Sequence, residues 1–411
     1  FSLENTDGVT ALVACFYDFA DHTISLLSDV INKEVLMDKI YRIDFKSAAA
    51  AQDAYVILKS HPNVKTVDYD REIKFDTDDP DISEDFSSAA PMENTDGDYP
   101  YNDYDLYGGK NWYLDDINAP KAWEAMKEYD NVYQNSACVA VIDSGIDTNN
   151  PDLKNRILTD GDGNMIGYNL LSNYSASFED DYSLKNTYHG TRVSSVIAAE
   201  ANNGVGICGV AGEFNVKILP IKVFNSTGDG ATASVLIKAV NKAVENNVDV
   251  INMSIGSVLP IDTANKVETM QEAINAAVNA GCVVVAAAGN HYSNQLMYPA
   301  SYDNVISVAA YDTNRNRSVF SQYNEYIDVS APGESMALLL HSDGGIITDS
   351  TVNKKSAGTS FSAPIVSAAA ALLRIANPDI TPTEIANIIK NRADDLGREG
   401  YDTFNGYGAV N

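Results

Sequence analysis

Four polar residues of the types that perform acyl transfer stand at the edges of apolar segments in this chain. A serine hydroxyl can attack a carbonyl carbon, a histidine can take its proton, and a carboxylate can orient the imidazole. An asparagine amide can donate a hydrogen bond to the oxyanion that forms. Taken singly, each residue also fits an ordinary role, such as turn former, helix-start residue or N-cap. Together they occur in the order Asp143, His189, Asn290 and Ser360.

The elements that must hold these residues alternate along the chain after Trp112. Apolar segments predict strands, and the segments between them predict helices. Near-continuous apolar strands separated by helices indicate a parallel sheet covered on both faces, with chemistry at the carboxyl ends of its strands. We therefore predict an α/β fold with a mostly parallel central sheet. The predicted strands are 137–142, 216–223, 248–253, 282–287 and 305–310, and the predicted helices are 190–201, 233–246, 263–280 and 359–376.

The segments around the four residues are distinctive as sequence blocks. They read Val-Ala-Val-Ile-Asp-Ser-Gly-Ile-Asp at 139–147, His-Gly-Thr at 189–191, Ala-Ala-Ala-Gly-Asn at 286–290 and Gly-Thr-Ser-Phe-Ser-Ala-Pro at 358–364. These blocks resemble the signature blocks of the subtilisin-like serine proteases (subtilases, peptidase family S8), and the resemblance covers residues 112–411. It implies a three-layer α/β domain and a hydrolase that acts as a serine endopeptidase.

The resemblance also implies a role for each of the four residues. Ser360 attacks the scissile carbonyl, His189 takes and returns the proton, and Asp143 fixes the imidazole tautomer. Asn290 and the backbone amide of Ser360 bind the oxyanion. A bare ester hydrolase shares this acyl chemistry, and a catalytically silent regulatory module with the same fold is the alternative from another class.

Two features depart from the family pattern. Arg192 stands three residues after His189, where many family members have a second histidine. The stretch 160–188 is longer than in a minimal subtilisin and separates His189 from Asp143. We expect this stretch to form a surface loop near the substrate cleft.

The resemblance predicts a substrate cleft that binds peptide as an added β-strand. The residues implied in substrate binding are Ser254, Ile255, Gly256, Ser257, Gly228, Gly230, Ala288 and Met297. Met297 would form the floor of the primary specificity pocket, where family members that accept bulky P1 side chains commonly have glycine. A flexible thioether there should make the pocket shallower. We hypothesise a preference for small or medium P1 residues.

A calcium site is implied by resemblance to the family's strong site. Side chains of Asp152 and Asn203 would supply oxygen ligands, together with the backbone carbonyls of Ala201, Val205 and Ile207. Oxygen ligands of this kind are those that Ca²⁺ prefers. The alternative to a calcium site is an ordinary turn that binds no cation.

The residues before the catalytic region form a separate module in the sequence. Strand and helix patterns alternate between residues 9 and 75, with predicted strands at 9–17, 39–45 and 66–73 and predicted helices at 23–31 and 48–59. This α+β module resembles the subtilisin prodomain, above all in the segment 60–70, so we expect a ferredoxin-like intramolecular inhibitor at 1–75. An acidic linker at 76–105 should contain or adjoin the maturation site, cleaved by the enzyme itself. The catalytic domain would span 106–411.

Charge and composition limit the other possibilities. A formal net charge of −29 argues against nucleic-acid binding, which depends on clustered Lys and Arg. No stretch approaches the roughly 20 apolar residues that span a bilayer. The four cysteines are widely spaced and read as free core thiols. Protein or peptide substrates and a secreted or cell-surface location are the expectations.

Overall fold

The computed structural model describes residues 8–73, 103, 111–171, 177–180, 188–225, 231–258, 267–340, 342 and 352–411. The predicted linker at 76–105 lies outside these residues, except for Asp103.

The N-terminal segment folds into an antiparallel sheet with helices packed against it. Its elements are β1 (Ala11–Phe16), α1 (Asp21–Ser25), β2 (Val30–Met37), β3 (Ile40–Phe45), α2 (Ala48–Ser60), β4 (Val64–Tyr69) and β5 (Glu72–Ile73). The sheet has the strand order β2-β3-β1-β4, and Leu12, Phe16 and Leu58 are buried in its core. This βαββαβ order is the ferredoxin-like arrangement, so the α+β prediction is confirmed.

The predicted helix over 23–31 is wrong beyond its first turn. α1 ends at Ser25, Asp29 has a positive φ of 59°, and the chain from Val30 onward forms β2. Lys39, with a φ of 60°, then turns the chain into β3, which pairs with β2. Sequence periodicity could not reveal β2, because most of its side chains are at least partly exposed and its stability comes from pairing with β3.

The rest of the chain forms a larger α/β body. Its helices are α3 (Trp112–Asp116), α4 (Ala119–Met126), α5 (His189–Ala198), α6 (Ala233–Glu245), α7 (Glu268–Asn279), α8 (Thr359–Ala376) and α9 (Pro382–Arg392). Its strands are β6 (Ala137–Asp143), β7 (Tyr168–Asn169), β8 (Val216–Lys222), β9 (Ala231–Thr232), β10 (Val250–Met253), β11 (Ser257–Val258), β12 (Val283–Ala287), β13 (Met297–Tyr298), β14 (Val305–Tyr311), β15 (Val329–Pro332), β16 (Met336–Leu339) and β17 (Val352–Ser356).

A seven-stranded sheet forms the middle layer of this body. Its strand order is β15-β14-β12-β10-β6-β8-β7, and every adjacent pair is parallel. Successive residues of β6 face opposite sides: Val139 and Val141 pack in the cluster that contains α5 and α8, whereas Ala140 and Ile142 pack in the cluster that contains α6 and α7. Helices therefore cover both faces, and the three-layer α/β prediction is confirmed.

The central helix α8 begins and ends where the sequence predicted. By composition it is long and apolar enough to cross a membrane, and 78% of it is buried inside the protein. Its many alanines allow close approach to the sheet and to α5. The apolar character of α8 thus builds the core that holds its first turn, which carries Ser360.

The helix α9 was not predicted from the sequence, although a signal for it was present. Thr381 and Glu384 form a capping box, in which each side chain bonds to the other residue's backbone amide, and Pro382 occupies the first turn. This combination is a recognised helix start. The helix buries Ile385 and Ile389 against the core.

All four cysteines are free in the structure, as predicted. Burial raises the pKa of Cys15 to about 11 and the pKa values of Cys138 and Cys282 to about 12. The thiolate is the reactive form of cysteine, and a raised pKa keeps the thiol protonated. These side chains therefore contribute packing and have low reactivity.

Candidate active site

The four predicted catalytic residues lie on four different elements. Asp143 is the last residue of β6, His189 is the first residue of α5, Asn290 follows β12, and Ser360 is the second residue of α8. β6 and β12 are parallel strands on either side of β10, so their carboxyl ends lie at the same edge of the sheet. The topology thus brings the sequence-distant residues to one edge.

Asp143 and His189 form a buried hydrogen-bonded pair. His189 Nδ1 lies 2.8 Å from Asp143 Oδ1, which also accepts a hydrogen bond from the Ser144 amide at 2.7 Å. Asp143 is 0% exposed and His189 is 4% exposed. Because the carboxylate accepts, Nδ1 carries the proton, and this tautomer leaves Nε2 as the acceptor that a general base needs.

Ser360 is tied to the end of β10 by two hydrogen bonds. Its hydroxyl donates to the Ser254 carbonyl at 3.2 Å, and the Ser254 hydroxyl donates to the Ser360 carbonyl at 2.7 Å. A hydroxyl has one proton, so Ser360 must turn its O–H from Ser254 toward an imidazole nitrogen when it reacts. The structure therefore holds the serine in a resting orientation beside the predicted substrate-binding strand.

Asn290 is fixed by the residue before the serine. Its Oδ1 accepts hydrogen bonds from the backbone amide and the hydroxyl of Thr359, each at 2.9 Å. The Thr359 hydroxyl also accepts from the Gly289 amide at 3.1 Å. With Oδ1 held, the two N–H donors of Nδ2 are directed away from Thr359. The first-turn amides of α8 begin beside the same group, a suitable setting for a developing oxyanion.

Asp180, which sequence reasoning missed, joins the aspartate and histidine segments. Asp180 is 3% exposed. Its Oδ1 accepts a hydrogen bond from the Ser144 hydroxyl at 2.7 Å. Its Oδ2 accepts hydrogen bonds from the backbone amide of Thr191 at 2.9 Å and from the Thr191 hydroxyl at 2.8 Å. The Ser144 hydroxyl in turn accepts from the Gly190 amide at 2.9 Å. Burial raises the pKa of Asp180, and these donors oppose that effect. Residues 160–165 are exposed, as expected of a surface loop, whereas Asp180 is built into the core of the site, so the prediction is corrected at that end of the stretch.

Arg192 is buried rather than exposed to solvent. It is 3% exposed, and its guanidinium carbon lies 5.2 Å from the centroid of the Phe361 ring. The Phe361 ring also lies 5.8 Å from the His189 ring. Arg192 thus packs in the interface between α5 and α8, the two helices that carry the histidine and the serine.

The predicted specificity pocket contains a methionine between two glycines. A Cβ placed on Gly256 would stand 2.6 Å from Met297 Cγ and Sδ, and one placed on Gly289 would stand 2.5 Å from Met297 Cε. Met297 is 1% exposed, and Ser254, Ile255 and Ala288 are buried beside it. Ser257 pairs with Tyr298 in a short antiparallel ladder. The side chain of Met297 therefore fills the space between the two predicted pocket walls.

The predicted facing strand of the cleft is described only in part. Gly228 and Gly230 lie outside the described residues, whereas the following strand β9 is present. β9 pairs antiparallel with β5 of the N-terminal module, with Ile73 opposite Ala231 and Glu72 opposite Thr232. The strand that directly follows the predicted substrate segment is thus paired with the module's own chain.

The predicted calcium loop surrounds the carboxylate of Asp152. Its Oδ1 accepts from Asn203 Nδ2 at 2.7 Å, and its Oδ2 accepts from the Ile207 amide at 3.0 Å. Ala201 and Val205 belong to the same loop. Among the residues that the structure describes, no three His, Cys, Asp or Glu side chains cluster as a metal site. A cation here would therefore depend on backbone carbonyls.

Asp103 is a second buried carboxylate at this loop, and sequence reasoning placed it in the linker. It is 0% exposed and accepts hydrogen bonds from the amides of Asn202, Asn203 and Gly204 at 2.8, 3.1 and 3.3 Å. Burial raises the pKa of Asp152 well above its ordinary value, and the Asp103 charge adds to the effect. No local signal distinguished Asp103 among its acidic neighbours.

Comparisons with known proteins agree with this geometry. Residues 134–408 match the sequence model of the subtilase family. The chain is 34% identical over 310 residues to the "Thermophilic serine proteinase" of Bacillus sp. (strain AK1), covering 74% of this chain and 66% of that relative, slightly under two thirds of its length. It is 37% identical over 269 residues to the "Major intracellular serine protease" of Bacillus subtilis (strain 168), covering 63% and 73%.

A solved structure extends the likeness to the fold. It is a protease from Pseudoalteromonas arctica, and it superimposes with a TM-score of 0.61 at 29% identity, covering 76% of this chain and 97% of that one. The family match spans more than half of the chain, including the segments that carry Asp143, His189, Asn290 and Ser360. The chain therefore belongs to the subtilase family and is a subtilisin-like serine endopeptidase.

Proposed function

We propose that this endopeptidase is made as a self-inhibited zymogen and that residues 1–75 are its inhibitory prodomain. The observation that carries the proposal is the pairing of β5 with β9, the strand that directly follows the predicted substrate segment at Gly228 and Gly230. A chain segment that adds a strand there competes with substrate for the same backbone hydrogen bonds. The junction expected near 75–77 lies outside the described residues.

The chemistry that we assign to the site is supported by the bond between His189 and Asp143 and by the position of Asn290 beside the start of α8. Ser360 attacks the scissile carbonyl as His189 Nε2 takes the hydroxyl proton, and Asp143 stabilises the imidazolium through its bond to Nδ1. The Asn290 amide and the Ser360 backbone amide donate to the oxyanion. His189 then returns the proton to the leaving amine, and water releases the acyl group by the reverse steps.

Two carboxylates of the N-terminal module anchor it to the catalytic body. Asp68 accepts from the amide and hydroxyl of Thr269 at 2.9 and 2.8 Å, in the first turn of α7. Asp70 accepts from the amide and hydroxyl of Ser234 at 2.9 and 2.7 Å, in the first turn of α6. Negative charge at a helix N-terminus is stabilised by the free amides there. The module thus supplies the side-chain cap that α7 lacks and a second acceptor at the N-terminus of α6, beside its own cap Thr232.

Apolar contact and ion pairs extend this interface. Val13, Leu36 and Ile40 of the module pack in the same cluster as α6 and α7. Lys65 pairs with Glu272 at 2.5 Å, and Glu34 pairs with Lys238 at 2.7 Å. The docking face is therefore continuous from the helices to the strand pairing at β9.

Replacing both Asp68 and Asp70 with alanine should weaken inhibition by the module. Loss of a helix cap costs about 1 kcal/mol, so two losses correspond to roughly a 30-fold weaker docking equilibrium. The time course of peptide hydrolysis by freshly folded full-length chain measures this, and the double variant should show a shorter lag. Asp53→Ala, an exposed carboxylate on α2 of the same module, is the matched control. An unchanged lag in a double variant whose circular dichroism matches the wild type would contradict the docking assignment.

We also propose a structural calcium ion at the 201–207 loop. Two buried carboxylates and the carbonyls of Ala201, Val205 and Ile207 form an oxygen-rich, negatively charged surrounding that suits a hard cation. At present Asn203 Nδ2 donates a hydrogen bond to Asp152. The side-chain amide of Asn203 must therefore turn over, so that Oδ1 faces the cation, before these oxygen ligands fit calcium. A bound cation would offset the unfavourable burial of Asp152.

Chelation should lower the melting temperature by several degrees. A ligand at 100 times its Kd stabilises the folded state by about 2.7 kcal/mol, and EDTA removes that contribution. Differential scanning calorimetry with calcium, with EDTA and after calcium is restored measures the effect. Asp152→Asn should lower the melting temperature with calcium present and make it insensitive to EDTA. Equal melting temperatures of the wild type in calcium and EDTA would rule out the site.

A location outside the cytoplasm is part of the same proposal. An inhibitory module that blocks the active-site cleft suits a protease that is exported before it becomes active, because it keeps the enzyme inactive inside the cell. One relative is named as an intracellular protease, so the family by itself does not fix the location. Cell fractionation with an antibody to the chain tests this expectation.

A further inference from the structure

The far end of the pocket between Gly256 and Gly289 contains a second side chain besides Met297. A Cβ placed on Gly289 would stand 1.9 Å from Gln322 Oε1 and 2.5 Å from Met297 Cε. The Gln322 amide oxygen and the thioether methyl therefore converge on the same point in front of Gly289. The Gln322 backbone amide also donates to the Gly289 carbonyl at 3.0 Å, which fixes the two residues together.

The orientation of the Gln322 amide is determined by its neighbour. Its Nε2 donates to the Gln295 carbonyl at 2.7 Å. A carbonyl oxygen can only accept, so Nε2 must point to Gln295 and Oε1 must point toward Gly289. The acceptor at the end of the pocket is thus assigned by hydrogen bonding.

This acceptor has no donor in the part of the chain that the structure describes. Gln322 is 0% exposed, and its Oε1 accepts no hydrogen bond from any described residue. Buried polar atoms are nearly always paired, and an unpaired one carries a desolvation cost. A group that enters the pocket with an N–H at its tip would remove that cost.

The neighbouring Met297 determines which groups can reach the acceptor. Its side chain fills the space between the glycines, so a large aromatic side chain has no room. Met297 has three rotatable side-chain bonds and can yield to an unbranched or singly branched group of its own size. The pocket therefore selects by length through Met297 and by polarity through Gln322.

We propose that the primary specificity pocket recognises a P1 side chain with a primary amide, asparagine or glutamine, through a hydrogen bond to Gln322 Oε1. This inference rests on the proposed endopeptidase function and names its substrate class. Aspartate and glutamate have the same shape but present only acceptors when ionised, so they should be rejected. Leucine and methionine have similar size but leave Oε1 unpaired.

Peptides that differ only at P1 test the proposal on the active wild-type enzyme. Two matched series, Asn against Asp and Leu, and Gln against Glu and Met, isolate the hydrogen bond from side-chain size. The value of kcat/KM for the amide should exceed that for its apolar counterpart by about tenfold, the effect of one recovered hydrogen bond. The acidic counterparts should be poorer still.

The variant Gln322→Leu removes the acceptor while keeping the volume. Its ratio of kcat/KM for Asn over Leu should fall to about one, and this ratio is insensitive to the fraction of folded enzyme. If Gln322→Leu does not fold, the wild-type series still decides the matter.

The outcomes separate this inference from the function on which it rests. If the wild type cleaves the peptides but prefers Leu or Met at P1, the amide assignment is wrong and the endopeptidase assignment stands. If no peptide is cleaved and a fluorophosphonate does not label Ser360, both fail together.

Discussion

Replacing Ser360 with alanine should abolish peptide hydrolysis and leave residues 1–75 attached to the chain. The hydroxyl is the nucleophile that the site offers beside the Asp143–His189 pair, and alanine leaves the surrounding packing intact. In subtilisin itself, removal of this serine lowers kcat by about 2 × 10⁶-fold, and residual catalysis comes from the oxyanion site. We expect a loss of the same order here.

N-terminal sequencing and intact mass of the wild type and of Ser360→Ala, before and after incubation, measure both effects at once. Ser362→Ala is the matched control, since Ser362 lies on the same turn of α8 and only donates to the carbonyls of Ala331 and Pro332 at 3.2 and 3.0 Å. This control should be processed and active. A Ser360→Ala chain that still loses its N-terminal module would show that another protease performs maturation.

Labelling with a fluorophosphonate separates the enzyme from a catalytically silent relative. The wild type should be labelled at Ser360 once the module has been removed, and Ser360→Ala should not be labelled. Casein compared with a small ester then distinguishes an endopeptidase from a bare ester hydrolase, because only the former needs a cleft that binds substrate as an added strand.

The parallel sheet could be predicted, and the four candidate catalytic residues could be singled out, because their signals are local. β6 is apolar up to Ile142, β12 is apolar throughout, β14 is apolar except for Ser307, and α8 consists of small and apolar residues up to Leu373. The candidate catalytic residues stand in the sequence at the ends of these apolar strands or at the starts of the helices, so they can be located once the strands and helices are recognised. Once a parallel topology is assumed, the carboxyl ends of the strands must meet at one edge, so Asp143 at the end of β6 and Asn290 after β12 are expected on the same side of the sheet.

Other parts could not be predicted, because their roles depend on contacts between distant segments. Asp103 lies in an acidic stretch with nothing to distinguish it, yet it binds three amides about 100 residues away. Asp68 and Asp70 read as strand residues, but they cap helices that begin some 160–200 residues later. Gln322 follows no motif. In each case the chemistry comes from the partner, and a single sequence does not contain the pairing.

Replacing Asp180 with alanine should lower kcat by about 10²-fold with little change in KM, because misplacement of a catalytic group by about 1 Å has an effect of that size. Ser144 follows Asp143, and Thr191 lies two residues after His189, so the Asp180 carboxylate holds both catalytic segments at once. Without it, buried donors of Ser144 and Thr191 lose their acceptor, at a cost of about 1–3 kcal/mol. Substrate binding in the predicted cleft, including the Met297 pocket, should be unaffected.

The conservative variant and a control on the same loop sharpen this prediction. In Asp180→Asn, the amide oxygen can still accept the hydrogen bonds from Thr191, and Nδ2 can donate a hydrogen bond to the Ser144 hydroxyl oxygen. We therefore expect kcat of this variant to lie within about tenfold of the wild-type value. Asp162→Ala removes an exposed carboxylate from the same long stretch and should change nothing. Rates are expressed per active site titrated with a fluorophosphonate. If Asp180 had only a structural role, Asp180→Ala would reduce the number of titrated sites and the melting temperature, while kcat per site stayed constant. If Asp180 positions the site, kcat per site falls, because the histidine base no longer meets the serine in the reactive geometry.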